Sequence, residues 1–143
     1  MVDVLIQDVM TANPFTVHRS ENLSTVVELF EQHHFHHVIV VNDAGEMEGV
    51  LSATDIERTK SGATLFRHPA KETYDEVILR TILACDIMTK DVTLIQATDS
   101  IRHAYAIFKK NKFHALPIVD KGNLVGIVTP LDLLDHFFAN PKS

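Results

Sequence analysis

Two short stretches of the 143-residue chain set a hydroxyl three positions before a carboxylate: Ser52-Ala53-Thr54-Asp55 and Thr129-Pro130-Leu131-Asp132. Each follows a glycine and two aliphatic residues, Gly49-Val50-Leu51 and Gly126-Ile127-Val128. The pattern predicts a buried strand running straight into a helix. Ser52 or Thr129 stands at the N-cap, Pro130 at the first helical position, and Asp55 or Asp132 at the third. A helix start also points free N–H groups and the positive end of its dipole outward, which suits an anion. An ionised carboxylate in that place can accept strong hydrogen bonds from two neighbouring hydroxyls. Cap and ligand site share one geometry, so either role or both is compatible with these residues.

Other chemistry-bearing residues give less. His33-His34-Phe35-His36-His37 offers imidazoles, which ligate zinc, nickel or copper. No cysteine and no His-Glu-x-x-His pattern accompanies the cluster. A helix end with histidines near the negative end of its dipole explains it equally well, so no metal site is expected. Cys85 is the one cysteine, which excludes an intrachain disulfide and a multi-cysteine zinc site. It has no base at a recognisable spacing. Arg19, Arg58, Arg67 and His68 are candidate phosphate donors, Arg58 foremost, or solvated surface charges. With no nucleophile–base set, metal set or glycine-rich phosphate loop, the chain is not read as an enzyme.

The totals narrow the class. A net charge of −6 argues against a nucleic-acid surface. Apolar residues make up 45% and charged residues 22%, ordinary proportions for a globular protein. The acidic N-terminus lacks the features of a signal peptide. No apolar run approaches the roughly 20 residues needed to span a bilayer. Together with the single cysteine, this leads to the expectation of a soluble cytoplasmic protein.

The elements that must position the two Ser/Thr–Asp pairs come as an internal repeat. Asp8-Val9-Met10-Thr11 recurs as Asp86-Ile87-Met88-Thr89, and the same offset of 78 places Leu23 on Ile101, Phe30 on Phe108 and Val41 on Val119. After a one-residue deletion in a turn, an offset of 77 places Gly49 on Gly126 and Asp55 on Asp132. Each copy reads β-α-β-β-α. Phe15-Thr16-Val17 and Thr93-Leu94-Ile95 are short strands. Ser20-Glu21 and Thr98-Asp99 open amphipathic helices with apolar residues at i, i+3, i+4 and i+7. Val38 to Val41 and Leu116 to Val119 enter hairpins through glycine turns at Gly45 and Gly122. Residues 60–63 and His68-Pro69 read as loop, and residues 74–83 as a helix leading into the second copy. Neither three-stranded sheet could cover both its faces alone, so two copies packed sheet to sheet are expected.

The Asp-h-Met-Thr opening (h, hydrophobic), the amphipathic helix, His114-Ala115-Leu116-Pro117-Ile118-Val119-Asp120 and Gly-h-h-Ser/Thr-x-x-Asp together resemble the CBS domain. Two in tandem resemble a CBS pair, or Bateman module, over nearly the whole chain. The resemblance implies an α/β (α+β) fold of two pseudo-symmetric repeats, residues 1–60 and 80–143, joined by residues 61–79. It implies a stand-alone regulatory protein that binds AMP, ADP, ATP or S-adenosylmethionine in the clefts between repeats. The signal would pass to an effector protein through rearrangement of the repeats or of a homodimer. Carried over by position, one site comprises Phe15, Thr16, His37, Val38, Ser52, Thr54 and Asp55, with Arg58 as phosphate donor. The other comprises Thr93, Leu94, Ala115, Leu116, Thr129, Leu131 and Asp132. In the family the aspartate accepts from ribose hydroxyls, and the first strand entry and central strand hold the adenine. Two departures stand out: Ile39 replaces the proline found at Pro117, and Arg58 is matched by Asp135 and His136. The alternative reading is a dimerisation or interaction module with empty clefts.

Overall fold

The computed structural model describes residues 3–64, 71–110 and 112–139, of which 61–64 and 71–74 contribute helix backbone. It divides into two compact units: a continuous unit, residues 15–91, and a split unit made of residues 1–14 with 92–143. The compact units therefore do not coincide with the sequence repeats, because each repeat's Asp-h-Met-Thr opening belongs with the other repeat's hairpin.

The split unit begins with α1 (Ile6–Val9) and β1 (Thr11–Ala12). The continuous unit follows with β2 (Thr16–His18), α2 (Leu23–His33), β3 (His37–Val41), β4 (Met47–Ser52), α3 (Ala53–Thr64), α4 (Lys71–Thr81) and α5 (Ala84–Ile87). The chain returns to the split unit with β5 (Ile95–Gln96), α6 (Ile101–Lys109), β6 (Leu116–Asp120), β7 (Asn123–Val128) and α7 (Pro130–Phe138). The continuous unit's sheet runs β2-β3-β4, and the split unit's runs β1-β7-β6-β5. In both, the first repeat strand is parallel to its neighbour and the hairpin is antiparallel. This is the expected mixed α+β fold with two sheets. The crossings between units fall at Asn13 and Asp91, equivalent in the repeat and both left-handed (φ 52° and 54°). Asparagine and aspartate tolerate that conformation better than most residues.

Glycine explains how each opening is held. Thr89 exchanges both backbone hydrogen bonds with Val50, at 2.8 and 3.0 Å. In the split unit, Thr11 pairs with Ile127 and Ala12 with Gly126. A Cβ on Gly49 would lie 2.7 Å from the Thr89 carbonyl oxygen, and one on Gly126 would lie 2.5 Å from Met10 Sδ and 2.9 Å from the Thr11 oxygen. The glycine that opens each Gly-h-h-Ser/Thr-x-x-Asp run is thus required by the Met-Thr backbone packed against it. Asp8 and Asp86 cap their own short helices, accepting from Leu5 N at 3.2 Å and Leu83 N at 2.9 Å.

Each unit has its own core. Leu23, Val26, Val38, Val40, Leu51 and Ile56 are buried together in the continuous unit. Ile6, Ile95, Leu116, Ile118 and Val128 fill the split unit. Both hairpins shift register at the same repeat position, Val40/Val41 and Ile118/Val119. Gly45 and Gly122 turn at φ 80° and 83°, conformations that glycine adopts without steric cost.

Several local expectations need correction. The amphipathic helices start later than Ser20 and Thr98, at Asn22 and Ser100, whose side chains accept from Thr25 N and Arg102 N. A capping side chain outranks an acidic residue that merely precedes the apolar stripe. Residues 60–63 are not loop: the α3 backbone runs to Thr64, carrying Gly62 at the roughly 1 kcal/mol that glycine costs inside a helix. The helix expected at 74–83 spans Lys71–Thr81. Arg67, His68 and Pro69 lie outside the described residues.

Candidate functional site

Register brings the carried-over residues of the continuous unit to one end of its sheet. Strands β2 and β3 are parallel and β4 is antiparallel, so the starts of the first two lie with the end of the third. There His37 pairs with Ser52, Val38 with Leu51, and Thr16 with Ile39. Asp55 follows in the first turn of α3, with Thr54 exposed beside it. Val38 is buried, His37 and Asp55 are partly buried, and Phe15 and Thr16 are exposed. In the split unit Thr93 and Leu94 precede β5, Ala115 and Leu116 lie buried at the start of β6, and Thr129 follows β7. Asp132 is half-buried there, beside an exposed Leu131.

The two hydroxyl–carboxylate pairs are reciprocal caps. Asp55 N donates to Ser52 Oγ at 3.1 Å, and Ser52 N donates to Asp55 Oδ2 at 2.9 Å. Asp132 N donates to Thr129 Oγ1 at 3.4 Å, and Thr129 N donates to Asp132 Oδ2 at 2.9 Å. The Thr129 hydroxyl also donates to Oδ2, at 3.2 Å. Such a cap is worth about 0.5–2 kcal/mol. In each case the cap uses Oδ2, so the two units differ at Oδ1. Asp55 Oδ1 faces Arg58 Nη2 at 3.3 Å. Asp132 Oδ1 has no protein partner among the described residues. Burial raises the Asp132 pKa, with Asp135 adding to the effect, while the hydrogen bonds from Thr129 oppose it.

Ile39 and Pro117 also separate the two sheet ends. Ile39 N donates to the Phe15 carbonyl at 3.4 Å, closing the pairing of β2 with β3 at the site. Proline has no N–H to give the equivalent Thr93 carbonyl. Strand β5 accordingly starts at Ile95, the equivalent of Val17, and the expected strand residues Thr93 and Leu94 lie outside it.

The histidine run resolves into separate structural positions. His33 ends α2, and its ring lies tilted against Phe15 (4.4 Å) and stacked with Phe35 (5.7 Å), the two phenyl rings being 5.1 Å apart. His34 is the left-handed C-cap, its N–H bonded to the Phe30 carbonyl at 2.9 Å. The His36 carbonyl accepts from Ala53 N at 2.9 Å, and His37 starts β3. Among the described residues no three His, Cys, Asp or Glu side chains converge as a metal site. Arg19 is engaged by Glu48 at 2.7 Å, an interaction that raises its pKa further. Half-buried Cys85 donates its backbone N–H to the Arg19 carbonyl. No described helix is long and apolar enough to cross a membrane.

Sequence reasoning did not anticipate the apolar groove of about 670 Å³ between α6 and α7. Its signal was present: α7 carries Leu134 and Phe137 where α3 carries Glu57 and Lys60.

Comparison with known proteins places these features in a family. The chain is 30% identical over 130 residues to a homoserine O-acetyltransferase of Methanocorpusculum labreanum, covering 90% of this chain but 23% of that protein. The chain thus spans less than a quarter of that relative's length. It is 31% identical over 153 residues to protein MJ1426 of Methanocaldococcus jannaschii, covering 92% and 90% of the two chains. Among solved structures, the CBS domain of a membrane protein from Sphaerobacter thermophilus shares 26% identity at TM-score 0.75, covering 93% of this chain and 87% of that one. The CBS domain pair of protein MJ0100, in complex with 5′-methylthioadenosine and S-adenosyl-L-methionine, shares the fold at TM-score 0.76 and 21% identity, covering 97% and 99%. CBSX2 in complex with AMP does so at TM-score 0.73 and 22% identity, covering 96% and 98%. The sequence profile of the CBS domain matches twice, at residues 6–61 and 84–139, the two stretches that each contain one Asp-h-Met-Thr opening and one reciprocal Ser/Thr–Asp cap, and the chain belongs to the CBS domain family.

Proposed function

We propose that this chain is a non-catalytic regulatory module that binds an adenosine-containing ligand, one of AMP, ADP, ATP or S-adenosylmethionine, beside one or both reciprocal caps. The observation that carries this reading is the partly buried carboxylate placed by the same cap at the same end of each sheet. Oδ2 is spent on the cap in both units, Oδ1 of Asp132 is left to meet hydroxyl donors, and Oδ1 of Asp55 faces Arg58. Ala115 and Leu116, or Val38, supply apolar walls for a flat base, in keeping with the usual make-up of small-molecule sites. The methylthioadenosine, S-adenosylmethionine and AMP complexes of fold neighbours support this ligand class. Phe15, Thr16, His37, Ser52, Thr54 and Arg58 complete one site, and Thr93, Leu94, Thr129 and Leu131 the other. Binding would bias one arrangement of a homodimer that a cytoplasmic effector protein reads, which requires different affinities for two states.

Thermal denaturation with each of the four ligands tests the proposal. A ligand at 100 times its dissociation constant stabilises the folded state by about 2.7 kcal/mol, a rise of several degrees. Asp132→Ala and Asp55→Ala should each remove the share that belongs to their own site. No shift with any of the four would sink the sensor reading. A shift that survives both substitutions together would sink the residue assignment. The second reading, an interaction module without ligand, is favoured by the uncovered apolar face of α6 and α7.

A further inference from the structure

The two reciprocal caps hold their carboxylates alike and differ in what surrounds the second oxygen. On α3, Arg58 follows Asp55 by three positions on the same helix face, with Nη2 3.3 Å from Asp55 Oδ1. The Asp55 side chain is 14% exposed and that of Arg58 73%. On α7 the repeat offset of 77 puts Asp135 in the place of Arg58. Asp132 Oδ1 has no protein partner among the described residues. The charge of Asp135 is felt there, since it adds to the rise in the Asp132 pKa. His136 comes next, its ring packed against Phe137 at 5.1 Å.

The sheet ends carry the same contrast. In the continuous unit the Phe15 carbonyl accepts from Ile39 N. In the split unit Pro117 has no N–H to give the Thr93 carbonyl, which stays open as an acceptor. The split site therefore gathers acceptors and negative charge: Asp132 Oδ1, the Thr93 carbonyl and Asp135. The continuous site sets a guanidinium beside its carboxylate.

Adenosine ligands share the base and the ribose hydroxyls and differ in the group at the 5′ carbon. AMP, ADP and ATP carry phosphate there. S-adenosylmethionine carries a sulfonium and has a net positive charge, and 5′-methylthioadenosine carries an uncharged thioether. Once the hydroxyls engage the aspartate, the 5′ group of the same sugar comes within reach of the residue one helical turn further on. At Asp55 the hydroxyls compete with Arg58 for Oδ1. An exposed ion pair of this kind is cheaply opened, and the released guanidinium fork matches the oxygens of a phosphate. At Asp132 a phosphate would meet two like charges, whereas a sulfonium would meet two opposite ones.

We propose that the two units sort adenosine ligands by the charge of the 5′ group. The continuous unit takes the phosphorylated ligand, with Arg58 passing from Asp55 to the phosphate, and the split unit takes the cationic one, S-adenosylmethionine. This assignment rests on the adenosine-ligand reading and adds to it the discriminating residues, Arg58 and Asp135.

Calorimetric titration of the full chain with AMP, S-adenosylmethionine and 5′-methylthioadenosine tests it, at about pH 8 so that ordinary imidazoles are neutral. Asp132→Ala leaves the continuous site, which should bind AMP at least about tenfold more tightly than S-adenosylmethionine. Asp55→Ala leaves the split site, which should show the reverse order. If loss of a cap unfolds either variant, exchange of the two exposed residues decides. Arg58→Asp should weaken AMP binding at least about tenfold, and Asp135→Arg should weaken S-adenosylmethionine binding as much. In both, 5′-methylthioadenosine has no charge to be sensed and should stay within about threefold of its wild-type affinity. If none of the three ligands binds the wild type, the adenosine-ligand reading falls and this assignment with it. If 5′-methylthioadenosine binds but each site treats AMP and S-adenosylmethionine alike, the charge sorting alone is overturned. An exchange that shifts all three ligands equally overturns it in the same way.

Discussion

The continuous and split units start from one sequence pattern and finish with different surfaces. In the continuous unit, α3 presents Glu57 and Lys60, and α4 packs over α2 and α3. In the split unit, α7 presents Leu134 and Phe137 at those positions and the groove stays open. The sheets, hairpin glycines and caps hardly differ. Divergence is concentrated on the outer helix faces and at the sheet ends, where Ile39 closes a hydrogen bond that Pro117 cannot. In a repeated fold the shared residues report what the architecture needs. The unmatched ones report what each copy does with it.

The comparison is broken most severely in the core. Ile56 and Leu133 are equivalent, and truncating a buried aliphatic side chain to alanine costs about 2–5 kcal/mol. Ile56→Ala should take the full loss in urea denaturation at any protein concentration. Leu133 lines the groove, so Leu133→Ala should cost less, toward the low end of that range. Equal losses would contradict the open groove beside Leu133.

Next come the packed glycines. Gly49→Ala and Gly126→Ala each force a Cβ against the Met-Thr opening, and overpacking costs about 1–3 kcal/mol. Gly49→Ala should be worse, because its nearest obstacle is the Thr89 backbone oxygen rather than a flexible methionine sulfur. Denaturation midpoints in the reverse order would contradict these contacts. Smaller still are the caps: Ser52→Ala and Thr129→Ala should each lose about 0.5–2 kcal/mol, and by similar amounts if the reciprocal geometry is common to both.

The finest distinction is in pH. Burial first, and then Asp135, raise the Asp132 pKa above its unfolded value, against the hydrogen bonds from Thr129. The folded state then keeps the proton to higher pH than the unfolded chain does. That contribution to stability is fully present below the unfolded pKa and is lost as pH rises through the folded pKa. The stability of the wild type minus that of Asp132→Asn should therefore fall as pH climbs out of the ordinary aspartate range, and then level. A flat or rising difference would refute the shift.

Much of this organisation was legible in the sequence. The offsets of 78 and 77 revealed the repeat, its β-branched runs gave the hairpins, and the Ser/Thr-x-x-Asp spacing gave both caps. The exchange of openings was not legible. Strand β1 is two residues long, too short for a periodic signal, and its partner lies at the far end of the chain. Helix starts at Asn22 and Ser100 were missed by two residues because several polar residues in a row could cap. Of the candidate sites, identity and repeat position were readable. The unspent Oδ1 of Asp132 and the bond between Ile39 and Phe15 needed the strand register.

The left-handed residues at Asn13 and Asp91 have a consequence for how the protein is made. A chain emerging from the ribosome can complete residues 15–91 as soon as they are available, since that stretch is continuous in sequence and carries its own sheet and core. The first fourteen residues cannot settle at that time. Thr11 must wait for Ile127, far downstream in the sequence, and high contact order of this kind slows folding. The split unit is thus the late step in maturation. Until it closes, the nascent protein carries the unpaired edge of β7 and the apolar side of α1.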